Sequence, residues 1–184
     1  MHKSAYFKKF VISATKYLIN LSDIPKQSFA MKKYFFILMV LISASLGAQT
    51  ITPLDSTIWS KDYNFALTNA KESGKPLVIV FSGSDWCKPC IMLREQVFVK
   101  PEFNSWAQEK VVCVCLDFPS QKKNRLPQNL QQQNDALAER FNPNGLFPLV
   151  VVINSDEAVL GNIGYKDLSA QDYVLELEKI INIK

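Results

Sequence analysis

Two cysteines three positions apart, Cys87 and Cys90, stand in the stretch Trp86-Cys87-Lys88-Pro89-Cys90. It follows an apolar run from Pro76 to Phe81 and opens a segment with helical spacing. Thiols spaced in this way at a helix start share one turn. The first then lies at the exposed amino end, where unpaired backbone N–H groups and the helix dipole favour a thiolate. The second is placed to attack a mixed disulfide formed on the first. That is the equipment for thiol–disulfide exchange. Two other readings compete with it. A structural bridge across so small a loop would constrain little of the unfolded chain. A zinc site would need Cys113 and Cys115, whose C-x-C spacing inside an apolar strand does not match paired C-x-x-C turns. No metal site is therefore expected. Lys88 is a modulating candidate through its charge, weakened by screening if exposed. Pro89 fits a first helical turn, where its missing N–H costs little.

The elements that must position this pair occupy only part of the 184 residues. From Met31 a short basic start, an apolar run and a small-residue tail describe a secretory signal peptide over 31–48, with cleavage near Gly47 or Ala48. An uncleaved amphipathic anchor is the rival, and it would be the chain's sole tie to a membrane. Residues 1–30 read as an upstream extension or a mis-assigned start, which leaves 49–184 as one domain. The leader carries seven lysines against Asp23, so its removal takes the formal net charge from +4 to about −2. The basic balance belongs to the leader, and no nucleic-acid partner is implied. His2 leaves with it. A domain without histidine has no Cys-His or Ser-His nucleophile and few zinc options.

Within the domain, Asp62 to Glu72 reads as a helix with Phe65, Ala66, Leu67 and Ala70 near helical spacing, stopped by Ser73-Gly74. Leu77 to Phe81 and Val111 to Leu116 read as buried strands. Between them the helix of the cysteines runs toward Val99, with Leu93, Val97 and Phe98 inward and Arg94 and Glu95 outward; Pro101 starts another short helical piece. Pro119 to Gln133 is a polar loop leading into a helix that ends near Phe141. It is a surface loop or a partner-selecting one. Leu149 to Ile153, a turn at 154–157 and Ala158 to Ile163 form a hairpin. Ser169 caps a last helix with Tyr173, Leu177, Ile180 and Ile181 on one face. A short edge strand is expected around Thr57 to Trp59. This order gives a three-layer α/β sandwich, a mixed sheet of four or five strands flanked by helices.

With its strand, Trp-Cys-x-Pro-Cys and helix, followed by Gly145-Leu146-Phe147-Pro148 entering a strand, the chain resembles the thioredoxin superfamily. More narrowly it looks like exported bacterial thioredoxin-like proteins with a Phe-Ser-Gly-Ser-Asp-Trp-Cys-x-x-Cys signature, here Phe81 to Cys90. The likeness covers residues 57–183. It implies a cis peptide bond before Pro148, facing the cysteines, and a substrate groove made by Trp86, Phe147 and Pro148. It implies catalysis by Cys87 and Cys90 with no cofactor beyond their redox-active disulfide. The partners implied are protein or peptide disulfides and an upstream electron donor or acceptor protein, for a periplasmic or secreted monomer. The rival is a non-catalytic module that holds apolar peptides in the groove. Alignment through Phe81 puts Val80 where thioredoxins bury an acid, and places Cys115 near their associated lysine. Cys113 and Cys115 share a sheet face and read as buried apolar fillers, with Cys115 as an auxiliary thiol the lesser alternative. Asp85 reads equally as a solvated loop acid or a functional one.

Overall fold

A computed structural model of the chain describes residues 54–182, which fall in one compact unit. The expected extension and signal peptide lie outside the described residues. The order is β1 (Trp59–Ser60), α1 (Tyr63–Ser73), β2 (Leu77–Ser82), α2 (Lys88–Leu93) running into a π-helical turn (Arg94–Phe98), and α3 (Pro101–Lys110). Then come β3 (Val112–Asp117), a single 3-10 turn (Lys122–Asn124), α4 (Gln128–Phe141), β4 (Leu149–Ile153), β5 (Val159–Gly164) and α5 (Ala170–Ile181). The sheet runs β1-β3-β2-β4-β5, with β1, β3 and β2 parallel and β4 and β5 antiparallel to their neighbours. The mixed five-stranded α/β sandwich expected from the sequence is the fold observed.

Period-two alternation divides the core between the two sheet faces. Val78, Val80, Cys113, Val150 and Val152 point to one face and meet Leu93, Val97, Phe98, Phe103, Tyr173 and Leu177 from α2, the π-turn, α3 and α5. Leu77, Ile79, Phe81, Leu116, Val151 and Ile153 point to the other and meet α1 and α4. Each large side chain fully buried in this way contributes about 1.5–3 kcal/mol. Being covered on both faces explains why β2 and β4 are unbroken apolar runs.

Local chemistry sets the boundaries. Asp62 accepts the Phe65 amide at 3.0 Å and caps α1, and Gly74 ends it in the left-handed region at φ 67°. Phe65, expected on the inward stripe, is 62% exposed. The stripe is Tyr63, Ala66, Leu67 and Ala70, and Phe65 lies one residue off it. The polar stretch expected to be loop through Gln133 is helical from Gln128, with Pro127 capping. Only Leu137 and Asn134 are buried on that helix. Its stripe is so sparse that the solvent face dominates the sequence pattern. The edge strand is Trp59–Ser60, one residue beyond expectation, where Trp59 pairs with Cys113.

The carboxyl ends of β2 and β3 and the start of the antiparallel β4 all lie at one sheet edge. Phe81 stands opposite both Leu116 and Leu149, and Ser82 is level with Asp117. Crevices at strand carboxyl ends are where open α/β sheets place their chemistry.

Candidate active site

Cys87 and Cys90 are joined in a disulfide, with Cα atoms 5.3 Å apart. Cys87 is the N-cap of α2, and its sulfur accepts the Cys90 amide at 3.3 Å. The amides of Trp86 and Cys87 both donate to the Gly83 carbonyl, winding the approach into a turn. Pro89 fits the first helical turn, where it displaces no hydrogen bond. Lys88 and Pro89 are exposed. Cys87 is not: in the disulfide it is 4% accessible and Cys90 3%, against the expectation of an exposed first sulfur. Each sulfur's partner and the turn from Gly83 close around the pair.

The peptide bond between Phe147 and Pro148 is cis. The loop before it is held by Asn142, a buried residue the sequence reading passed over. Its Oδ1 accepts the Leu146 amide at 2.9 Å and its Nδ2 donates to the Leu146 carbonyl at 2.8 Å. Gly145, at φ 61°, makes the left-handed step this loop needs. The visible signal was Asn-Pro-Asn-Gly, a turn sequence. Trp86 meets Phe147 edge-on at 5.4 Å, and Phe147 meets Phe118 in the same manner at 5.3 Å. The Trp86 indole N–H donates to the Phe118 carbonyl at 2.7 Å. Trp86 and Leu146 remain about half exposed, so the cysteines have an apolar, aromatic rim. Gly83 is required beneath it, since a Cβ there would collide with the indole ring.

Asp85 ties the loop to the segment after β3. Its carboxylate accepts the amides of Ser120 (2.8 Å) and Gln121 (3.0 Å), the Ser120 hydroxyl (3.2 Å) and the Asn124 amide group (2.9 Å). The Ser120 amide foremost, with the other donors, holds its carboxyl down at about 2. Asp117, which the sequence reading did not single out, ties the same loop to the end of β3. It accepts the Ser84 amide at 2.9 Å and the Ser84 hydroxyl at 2.7 Å.

Behind the disulfide is a cavity of about 310 Å³, whose wall includes Cys90, Pro148, Val80, Cys115, Asp117 and Arg94. Val80 and Cys115 are neighbours across β2 and β3. Of the two cysteines read as fillers, Cys113 is buried and Cys115 is partly exposed, lining this cavity. Burial of its thiol, with the Asp117 charge nearby, pushes the Cys115 pKa up to about 12, so it stays protonated at neutral pH. Arg94 was expected to face outward. Its side chain is only 17% exposed and lies on the cavity wall, because Arg94 stands four positions after the buried Cys90 and shares its side of the helix. Among the described residues no group of three or more His, Cys, Asp and Glu side chains could hold a metal ion.

The arrangement can open and close one disulfide between an aromatic rim and an interior cavity. A thioredoxin-like family matches residues 58–155. The chain is 34% identical over 148 residues to the thioredoxin-related protein DsbJ of Chlamydia pneumoniae, covering 80% of this chain and 42% of that protein. It is 30% identical over 124 residues to the disulfide bond reductase DsbH of the same organism, covering 67% of this chain and 73% of that one. It thus spans about two fifths of the DsbJ relative's length and about three quarters of the DsbH relative's. The fold matches a solved DsbH oxidoreductase with TM-score 0.63 at 24% identity, over 77% of this chain and 99% of that one. A thioredoxin from Thermus thermophilus matches with TM-score 0.51 at 17% identity, over 67% and 86%. The chain with its Cys87–Cys90 disulfide belongs to the thioredoxin-like family.

Proposed function

We propose that this protein is a thiol–disulfide oxidoreductase that reduces protein disulfides through Cys87 and Cys90. The observation that carries the reading is the Cys87–Cys90 disulfide itself, at a helix start next to Trp86 of the aromatic rim, with Cys90 and Pro148 on one cavity wall. In the reduced enzyme the Cys87 thiolate attacks a target disulfide, forms a mixed disulfide and releases one target thiolate. The Cys90 thiolate then attacks the Cys87 sulfur, restoring the intramolecular disulfide and releasing the second target thiolate. Two electrons pass from the dithiol to the target, and an upstream electron-donor protein returns them. The dithiol needs no further cofactor for this step.

Trp86, Phe147 and Pro148 form the groove that receives the segment flanking the target disulfide, while Lys88 and Pro89 modulate the helix start. The absence of histidine between the cysteines favours reduction over oxidation, as does the likeness to a protein named as a disulfide bond reductase. The signal-peptide pattern over 31–48 supports export, and with it a periplasmic or secreted site of action as a monomer.

The test is the redox equilibrium of the purified protein against glutathione, read by thiol trapping and mass spectrometry, together with a Cys90→Ser trap. A reversible Cys87–Cys90 couple with a strongly reducing potential is expected, and Cys90→Ser should accumulate mixed disulfides through Cys87. Cys87→Ser should abolish turnover. A markedly oxidising potential would recast the protein as a disulfide donor. No reversible couple at all would leave a peptide-binding module.

A further inference from the structure

Arg94 is a charged side chain of the cavity wall that lies mostly out of solvent with its donors only partly engaged. Its side chain is 17% exposed, its Nε has no hydrogen-bond partner, and its ion pair is with the more exposed Glu95 next in sequence, at 3.3 Å. Glu95 engages a single Nη, so the inward Nε–H of this mostly buried guanidinium is left without an acceptor. The other ionisable groups facing the cavity are Lys61, Asp117, Cys115 and Cys90. Lys61 is a cation at the exposed end of β1. The Asp117 carboxylate is taken up by Ser84 and the Phe118 amide. Cys115 stays a neutral thiol. Cys90 is therefore the cavity group that can supply a second anion, and only after the disulfide opens. It lies one helical turn before Arg94 on the same side of the helix, and the Arg94 amide donates to the Cys90 carbonyl.

We infer that Arg94 is a positioning residue for the Cys90 thiolate: its guanidinium, whose Nε–H has no acceptor in the oxidised state, holds Cys90 ionised in the reduced one and so speeds the resolving step. The inference rests on the reading of Cys90 as the resolving cysteine. In that step the Cys90 thiolate forms a bond to the Cys87 sulfur while the bond from Cys87 to the target sulfur breaks. The electron pair leaves on the target thiolate, which takes a proton from solvent. The proton Cys90 gave up beforehand passes to solvent through the cavity. Nothing besides the target disulfide is reduced and nothing besides the dithiol is oxidised.

Cys90 titrates free of its coupled partner in a Cys87→Ser background, followed through its Cβ resonance against pH in the full reduced chain. Adding Arg94→Met should raise the Cys90 pKa by about one unit, cutting its thiolate fraction near neutral pH about tenfold. Arg94→Lys, which keeps the charge, should recover most of that shift. An unchanged titration in Arg94→Met, or Arg94→Lys behaving like Arg94→Met, would overturn the inference and leave Arg94 a packing residue. Should Arg94→Met not fold, the Arg94 Nε–H resonance of the unsubstituted chain gives the answer. It should move on reduction, with a midpoint matching the Cys90 titration; a resonance indifferent to redox state sinks the idea. Neither readout uses a substrate, so a failure to reduce target proteins would leave this result standing.

Discussion

The disulfide divides two regions built on opposite rules. On its outer side every polar group that shapes the rim has a partner: Trp86 Nε1 on the Phe118 carbonyl, Asp85 on four donors after β3, and Asn142 on both backbone atoms of Leu146. On its inner side, Arg94 Nε and Trp59 Nε1 belong to cavity-lining residues and lack partners, while Cys115 sits as a protonated thiol. A rim whose polar groups are paired is held rigid, as the proposed recognition surface requires. An unsatisfied interior is the side whose electrostatics change when the sulfurs separate. The recognition proposed for the rim and the thiol tuning inferred for Arg94 are therefore separable by substitution.

The hardest test loads the inner side. Val80 is 2% exposed, faces the cavity and stands beside Cys115. Val80→Asp should cost on the order of 3 kcal/mol in chemical denaturation, since it buries an ionisable group among strands. It should also accelerate resolution of the mixed disulfide by offering Cys90 a proton acceptor, measured by quenched trapping over time. A stable variant with no gain in that rate would show that the missing acid limits nothing.

The outer side can be disturbed without touching the cavity. In Gly83→Ala the new methyl takes the space of the indole, so Trp86 must swing out and lose the Phe118 carbonyl. A cost of about 1–3 kcal/mol is expected from the overpacking. KM for protein disulfides should rise severalfold while the equilibrium with glutathione, which needs no groove, stays near its original value. If instead the potential moves and KM does not, rim and cavity are one mechanical unit and the division drawn above fails.

The two regions also differ in how far they could be read beforehand. The cysteine pair, β2 and β4 were legible because each is a local pattern, a fixed spacing or a continuous apolar run, whereas the cis bond before Pro148 was implied by the family resemblance. Arg94 was misread. Its charge suggests solvent, yet Arg94 lies four positions after the buried Cys90 and so shares the inward side of the helix. The start of α4 was missed because its buried stripe contains Asn134, whose amide is occupied by the Asp117 carbonyl at 2.9 Å. Tertiary partners made that polar residue acceptable inside, and no local pattern announces a partner 17 positions away. Asp85 was left undecided for the same reason, its partners lying 35 to 39 positions downstream.

That acid gives the smallest effect, and the one that best isolates the rim. The Ser120 amide and its neighbours hold the folded pKa of Asp85 at about 2, below the model-peptide value of about 3.9. Because the folded value is the lower one, the contribution of this group is fully present above the unfolded pKa and is lost as pH falls through about 2. Protonation removes a charged acceptor from four donors, so the segment after β3 should loosen before the cavity does. Hydrogen exchange at the Ser120 and Gln121 amides should quicken between about pH 4 and pH 2 once the intrinsic pH dependence is removed. Asp85→Asn keeps an oxygen acceptor but cannot titrate, and it should abolish that quickening. Persistence of the pH dependence in Asp85→Asn would assign the loosening to another group and detach Asp85 from the order of the rim.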